Sequence, residues 1–240
     1  MKRYKFIFVV LSSDKLTIDN PYYGNEKRYN KFKILNKIIY DKFINDIKFF
    51  FIEYDNKLEE NIIELNDYIY IKGDEMPLNP NTLLKTTQAI EYINNKYNYD
   101  YIIHTNLSSI WNIPVLLSLY DNIPRTNFFG GHLLFNHFIT GTGIFFSNDL
   151  IPLLINIKTD TNIFFNNNDV AITAYMVNNN IPIYNLQYML NYKWDQIIND
   201  YYTNEYLDNI LYFRIKNSSD EIDKNISEYL LEKLYLEKII

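Results

Sequence analysis

The chain has 240 residues, 48% hydrophobic and 22% charged, with a formal net charge of −6; that is enough apolar material for a substantial core and one large α/β domain. The absence of cysteine excludes disulfides, zinc–thiolate sites, iron–sulfur clusters and thiol nucleophiles together, and three histidines leave little for a multi-histidine metal centre. A pI near 5.1 argues against a protein that neutralises nucleic-acid phosphates with a basic surface. Asparagine and isoleucine are abundant, as A/T-rich coding produces, so an asparagine alone is poor evidence for a site.

Residues 4–11, apolar on both faces through the run Phe6 to Leu11, predict a strand buried on both faces. The basic start followed by Phe6 to Leu11 has the order of a signal peptide, but six apolar residues fall short of the ~7–15 of a signal core. A buried first strand is the expected reading, in a soluble, cytoplasmic protein. A loop over 12–26 holds Pro21 and Gly24. Apolar residues at helical spacing then predict a helix from Lys27 to Phe43, with Phe32, Leu35, Ile38 and Ile39 inward. A strand follows over Ile47–Ile52, then a charged helical stretch from Lys57 to Leu65, and a short strand over Tyr68–Ile71 ended by Gly73.

Beyond Pro77 and Pro80 a helix is expected over 81–97, a strand over Tyr99–His104 and a helix over 114–120. Phe128-Phe129 and 139–147 read as strands around Gly130-Gly131 and Gly141-Thr142-Gly143. Ser147-Asn148-Asp149 is able to cap a helix reaching Ile155. A helix over 169–177, a strand over 181–184 and an amphipathic helix over 220–238 complete the order. No internal repeat or splitting linker is visible. Strands alternating with helices predict a mostly parallel central sheet with helices on both faces. Ligands of such sheets bind beyond the carboxyl ends of the strands. Those ends are Ser12-Ser13, Glu53-Tyr54-Asp55 and His104 through Ser109.

No Walker A sequence, Gly-x-Gly-x-x-Gly or Gly-x-Ser-x-Gly elbow is present. Gly141-Thr142-Gly143 suits either a close approach of backbone to ligand or a strand kink. The run His104-Thr105-Asn106-Leu107-Ser108-Ser109 is either a capping loop for the next helix or a set of amide and hydroxyl groups facing phosphates or a metal. Asp169 is either an N-cap or a carboxylate aimed into a cleft. His104 is more readily a satisfied strand-end histidine than a ligand. Trp111 and His132 are candidates to stack on a sugar, and Glu53 and Asp55 either contact a base or ribose or are solvated loop charges.

Taken in order, these segments resemble the inverting glycosyltransferases of family 31, the β-1,3-galactosyltransferase-like group, whose fold is the single-domain, Rossmann-like GT-A type. Val10-Leu11-Ser12-Ser13 and Lys27-Arg28 resemble that family's start. Gly73-Asp74-Glu75, Leu78-Asn79 and Leu84-Lys85-Thr86 resemble its Asp-x-Tyr-x-Asn-Leu…Lys-Thr stretch. His137 through Leu150 resembles Tyr-x-x-Gly-x-Gly-Tyr-x-x-Ser-x-Asp-Leu, and Asn168-Asp169-Val170 resembles Glu-Asp-Val with its first residue changed. The resemblance covers residues 4–185, with 186–240 read as a helical extension packed on the same domain.

The resemblance implies transfer of a sugar from a nucleotide-diphosphate donor, expected to be a uridine diphosphate sugar, to a glycan hydroxyl with inversion. Asp169 matches the general base. Leu11, Ser12, Ser13, Arg28, Asp55, Lys85, Thr105, Asn106, Ser108, Gly141, Thr142 and Gly143 would line the donor, and Trp111 and His132 the acceptor. No organic cofactor is implied. The family's Asp-x-Asp, which holds manganese or magnesium, aligns with Asn106-Leu107-Ser108, without a carboxylate. Hard cations prefer carboxylates, so three alternatives stand: a metal-independent enzyme, one that binds metal weakly, or an inactive nucleotide- or glycan-binding module. Lys85, Arg28, Ser108, Ser109 and backbone amides would then stabilise the leaving diphosphate. The absence of an anchor fits a viral or microbial role in glycan building, as a monomer or weak homodimer.

Overall fold

The computed structural model describes residues 2–13, 26–75, 80–160, 167–186, 189–192, 209–215 and 220–236. Pro21, Gly24, Pro77, Leu78 and Asn79 lie outside these, as do the side chains of Lys27, Arg28 and Ile222.

The first strand, β1 (Arg3–Leu11), is fully buried from Phe6 to Val10. It pairs in parallel with β2 (Ile47–Asp55) on one side and β5 (Asn98–Asn106) on the other. Successive side chains of a strand point to opposite faces. Phe6, Phe8 and Val10 accordingly enter one core cluster, while Ile7 and Val9 enter the other. Two antiparallel partners follow β5, namely β8 (Phe138–Ser147) and β7 (Phe129–Leu134), with β9 (Ile183–Asn185) parallel beyond them. The sheet order is β3-β4-β2-β1-β5-β8-β7-β9, with β3 (Ile62–Leu65) and β4 (Tyr68–Lys72) at the other edge. Parallel pairs fill the centre, and the expected α/β architecture is present.

On one face lie α1 (Glu26–Asp41), α3 (Ile113–Leu119) and α6 (Asp220–Leu231). On the other lie α2 (Asn81–Lys96), α4 (Ile151–Ile155) and α5 (Asn168–Asn178). α6 buries Ile226 and Leu230, and the π-helical turn after it buries Leu234 and Tyr235. The Tyr235 hydroxyl donates to the Trp111 carbonyl and accepts from the Ile113 amide at 3.1 Å.

Four sequence expectations change. Lys57–Leu65 is not helical: Ile62–Leu65 forms β3, turned back onto β4 through Asn66 at φ 56°, because its apolar residues find partners in the sheet edge. On α1, Ile38 faces solvent while Lys33 and Asn36 take inward positions. Ser147 makes no helix-capping bond; its hydroxyl donates instead to Asp149, whose other oxygen accepts from the Asn127 amide at 2.8 Å. The span 186–240 is not only helical: it supplies β10 (Met189–Tyr192) and β11 (Tyr212–Ile215). With β6 (Ser109–Trp111) these make a second sheet, β10-β11-β6. β6 follows directly on β5, which sets the second sheet beside the carboxyl ends of the central strands.

Candidate functional site

Asp169 stands in the first turn of α5, where a carboxylate suits the amide-rich helix end. Its Oδ2 accepts from the Gly141 amide at 3.1 Å, and its Oδ1 accepts from Val170 at 3.0 Å. The Thr173 hydroxyl donates to the Asp169 carbonyl at 2.8 Å and accepts from the Ile139 amide at 3.1 Å. Helix and β8 are thus laced together at two levels, and the side chain of Asp169 is held half-buried against the Gly-Thr-Gly strand. A Cβ at Gly141 would meet it at 3.5 Å, ordinary contact. Gly143 is tighter, since a Cβ there would lie 3.0 Å from the Trp111 ring.

Asn168, the neighbour of Asp169, reaches across to β5 and α2. Its Nδ2 is 3.2 Å from His104 Nε2 and 3.5 Å from the Thr86 hydroxyl. His104 is buried, and burial pushes its pKa down to about 4, so the imidazole is neutral. Among the described residues His104 Nδ1 and Asn168 Oδ1 are buried without a hydrogen-bond partner.

The segment after β5 folds inward. Asn106 Oδ1 accepts from Ser108 at 2.8 Å and Ser109 at 3.2 Å. Thr105 and Ser109 both donate to the Thr142 carbonyl, at 2.6 and 2.8 Å, and Trp111 Nε1 donates to the Thr105 hydroxyl at 3.1 Å. Thr142 shares hydroxyl contacts with Thr140 at 2.6 Å and Tyr212 at 3.1 Å. Trp111, expected to stack on an acceptor sugar, is a core residue instead. It is wholly buried, stacked on Tyr212 at 4.5 Å and flanked edge-on by Phe8 and Phe145.

A buried ionic network closes the ends of β1 and β2. Lys33 on α1 pairs with Glu53 at 2.6 Å, and the Ser12 hydroxyl donates to the same carboxylate. Lys85 pairs with Glu75 at 2.6 Å and donates to the Ser12 carbonyl at 2.9 Å. Glu75 also accepts from the Tyr54 amide at 3.1 Å. Burial lowers the Lys85 pKa, with Glu75 working against that shift. At 1% exposure and with its charge matched, Lys85 is enclosed rather than presented to a diphosphate. Glu53 is buried as well, so it is not a solvated loop charge.

Of the other expected residues, Leu11 pairs with Asn106 in the β1–β5 register, which places half-buried Ser13 beside this end of the sheet. Asp55 accepts from the Lys57 amide at 2.9 Å within its own turn. His132 is half-buried on β7, with its pKa lowered by burial. Polar contacts therefore join Glu53, Ser12, Lys85 and Glu75, and separately Thr86, Asn168 and His104, the two groups meeting at adjacent residues of α2. A further set links Asp169, Gly141, Thr142, Ser109 and Asn106. Lys33 and Tyr212 had no sequence signal, since each acts through a partner far along the chain, and Glu75 was singled out only as part of the Gly73-Asp74-Glu75 motif.

The position matching the metal-binding Asp-x-Asp does not fit a divalent cation. Asn106 spends its carbonyl oxygen on two hydroxyls, Ser108 is neutral, and no group of three or more His, Cys, Asp or Glu residues able to hold an ion occurs among the described residues. No described helix is long and apolar enough to cross a membrane.

No protein-family model and no curated protein matches the sequence. Among solved structures, the chain is similar to a glycosyltransferase involved in the glycosylation of the major capsid of PBCV-1. The TM-score is 0.49 at 11% identity, covering 92% of this chain and 98% of that one.

Proposed function

We propose that the chain is a glycosyltransferase that moves a sugar from a nucleotide-diphosphate donor, of the uridine diphosphate kind, to a glycan hydroxyl with inversion. The observation that carries this reading is the Gly141–Asp169 contact at 3.1 Å. Two segments that resemble family 31 motifs, 28 residues apart in sequence, meet beside the sheet's carboxyl edge with a carboxylate at their junction. In the reaction the acceptor oxygen forms a bond to the anomeric carbon as the bond from that carbon to the diphosphate oxygen breaks. Asp169 takes the acceptor proton, and the diphosphate leaves with the electron pair. Each carboxylate oxygen has a second lone pair beyond the one its backbone amide uses, so an acceptor hydroxyl has a place to donate.

A second reading is a non-catalytic nucleotide- or glycan-binding module. Asn106 favours it, because its inward hydrogen bonds stand where the family places a metal ligand. Titration with uridine diphosphate, followed by a screen of uridine diphosphate sugars for product release with glycan acceptors, separates the two. Binding with turnover supports the transferase, and binding without turnover for any donor supports the module. No nucleotide binding removes the transferase and the nucleotide-binding module, and leaves only a module that binds glycan.

A further inference from the structure

The second sheet brings a cation to the place where the carboxylates are missing. β6 and β11 pair antiparallel, with Trp111 opposite Tyr212 and Ser109 opposite Arg214. Residues two apart on a strand share a face, and directly opposed residues have Cβ atoms about 5 Å apart. Because Trp111 stacks on Tyr212, Ser109 and Arg214 lie on that same face. It is the face on which Ser109 donates to Asn106 and to the Thr142 carbonyl. The Ile215 amide donates to the Ser108 carbonyl at 2.8 Å, which pins the end of β11 against this segment.

Arg214 is half-buried, and no hydrogen bond or ion pair to a described residue engages its guanidinium. Its field is felt locally. The Tyr212 hydroxyl is pushed up by burial, and Arg214 offsets part of that rise. A guanidinium keeps its charge at any physiological pH, and its planar fork matches phosphate oxygens two at a time. Asn106, Ser108 and Ser109 are all neutral. The two serine hydroxyls donate inward, so the Asn106 amide nitrogen is the side-chain donor this segment offers. A strand-held cation beside that amide suits an anion, and a diphosphate more than a carboxylate, because the guanidinium fork and the amide serve several oxygens together.

Building on the transferase reading, we propose that Arg214, with the Asn106–Ser109 segment, forms a metal-free site for the diphosphate group of the donor. Charge that a divalent cation would offset on the departing diphosphate is offset here by the guanidinium of the second sheet. Asn106 then serves to fix the Ser108 and Ser109 hydroxyls rather than to ligate an ion.

Calorimetric titration in chelator tests this with uridine diphosphate, inorganic pyrophosphate and uridine, on the unaltered chain and on Arg214→Gln and Arg214→Lys. Arg214→Gln should weaken both diphosphate probes by about tenfold or more, leave uridine within about twofold, and be partly rescued in Arg214→Lys. Thermal melting verifies that each variant folds, and if the Gln variant does not, the Lys variant with the unaltered chain still reports on charge and fork geometry. Uridine diphosphate binding that ignores Arg214, or that requires manganese, overturns this site while leaving the transferase reading standing. Pyrophosphate binding that depends on Arg214 without any uridine diphosphate binding supports the anion site and removes the transferase. Binding of neither probe overturns both.

Discussion

His104 Nε2 and the Asn168 amide nitrogen lie 3.2 Å apart, joining the middle of the sheet to the first turn of the helix that carries Asp169. The imidazole is neutral in this contact because it is buried. Its partner is the residue at which this chain departs from the Glu-Asp-Val pattern, so the strand and the candidate base are coupled through one amide side chain.

That burial has a pH signature. The folded-state pKa of His104 is lowered to about 4, against an ordinary value near 6.5. Between those values the unfolded chain takes up a proton that the folded chain refuses. Stability from this group is whole above pH 6.5 and is lost as pH falls toward 4, by about 3 kcal/mol. Urea midpoints across this range should fall less steeply in His104→Phe than in the unaltered chain. Parallel curves would mean that His104 is not buried in its neutral form.

Asp169→Asn should reduce sugar transfer by about 10²–10⁴-fold and leave the affinity for uridine diphosphate within about twofold. The asparagine oxygen still accepts from Gly141, which makes the variant close to isosteric. Product formation and calorimetric binding, measured on the same preparation, separate the two effects. Turnover at the normal rate would remove Asp169 from the chemistry.

Lys85→Met strands Glu75 in a buried position and should cost about 3–5 kcal/mol in chemical unfolding. The double variant Lys85→Met with Glu75→Gln removes the uncompensated charge and should recover more than half of that loss. A double variant as unstable as the single one would show that the ion pair is not what Lys85 contributes.

Trp111→Ala should destabilise by about 3–5 kcal/mol by opening a cavity between Phe8, Phe145 and Tyr212. Trp111→Phe keeps most of the packing and gives up the bond to Thr105. Should the transferase reading hold, the Phe variant keeps an unchanged KM for the acceptor; a large rise in that KM would return Trp111 to the acceptor site.

The central strands were readable because their signal is local. Phe6 to Val10 and Ile102-Ile103 are apolar on both faces, and only a parallel sheet covered on both sides buries such runs. β3 was misread because Glu59, Glu60 and Asn61 precede it, and four residues are too few to show a period of two. The polar pairings were hidden for a different reason. Lys33 looks like one more charge on a helix until Glu53 stands opposite it. Ser109 and Arg214 are 105 residues apart, and only the β6–β11 register brings them together. Asp169 could be singled out from its motif, yet its contact with Gly141 required the fold.

The second sheet also sets an order of events in folding. β1 and β2 pair across 41 residues, whereas β1–β5 closes 95, β6–β11 closes 101 to 105 and the Tyr235–Trp111 contact closes 124, and longer closures cost more loop entropy. The β1–β2 pair therefore precedes the second sheet. Pulse-labelled hydrogen exchange should show the amides of β1 and β2 protected before those of Trp111 and Tyr212, and simultaneous protection would refute this sequence. A chain paused between the two stages would hold paired strands with Arg214 still remote from Asn106, so the proposed anion site is completed only after that pairing.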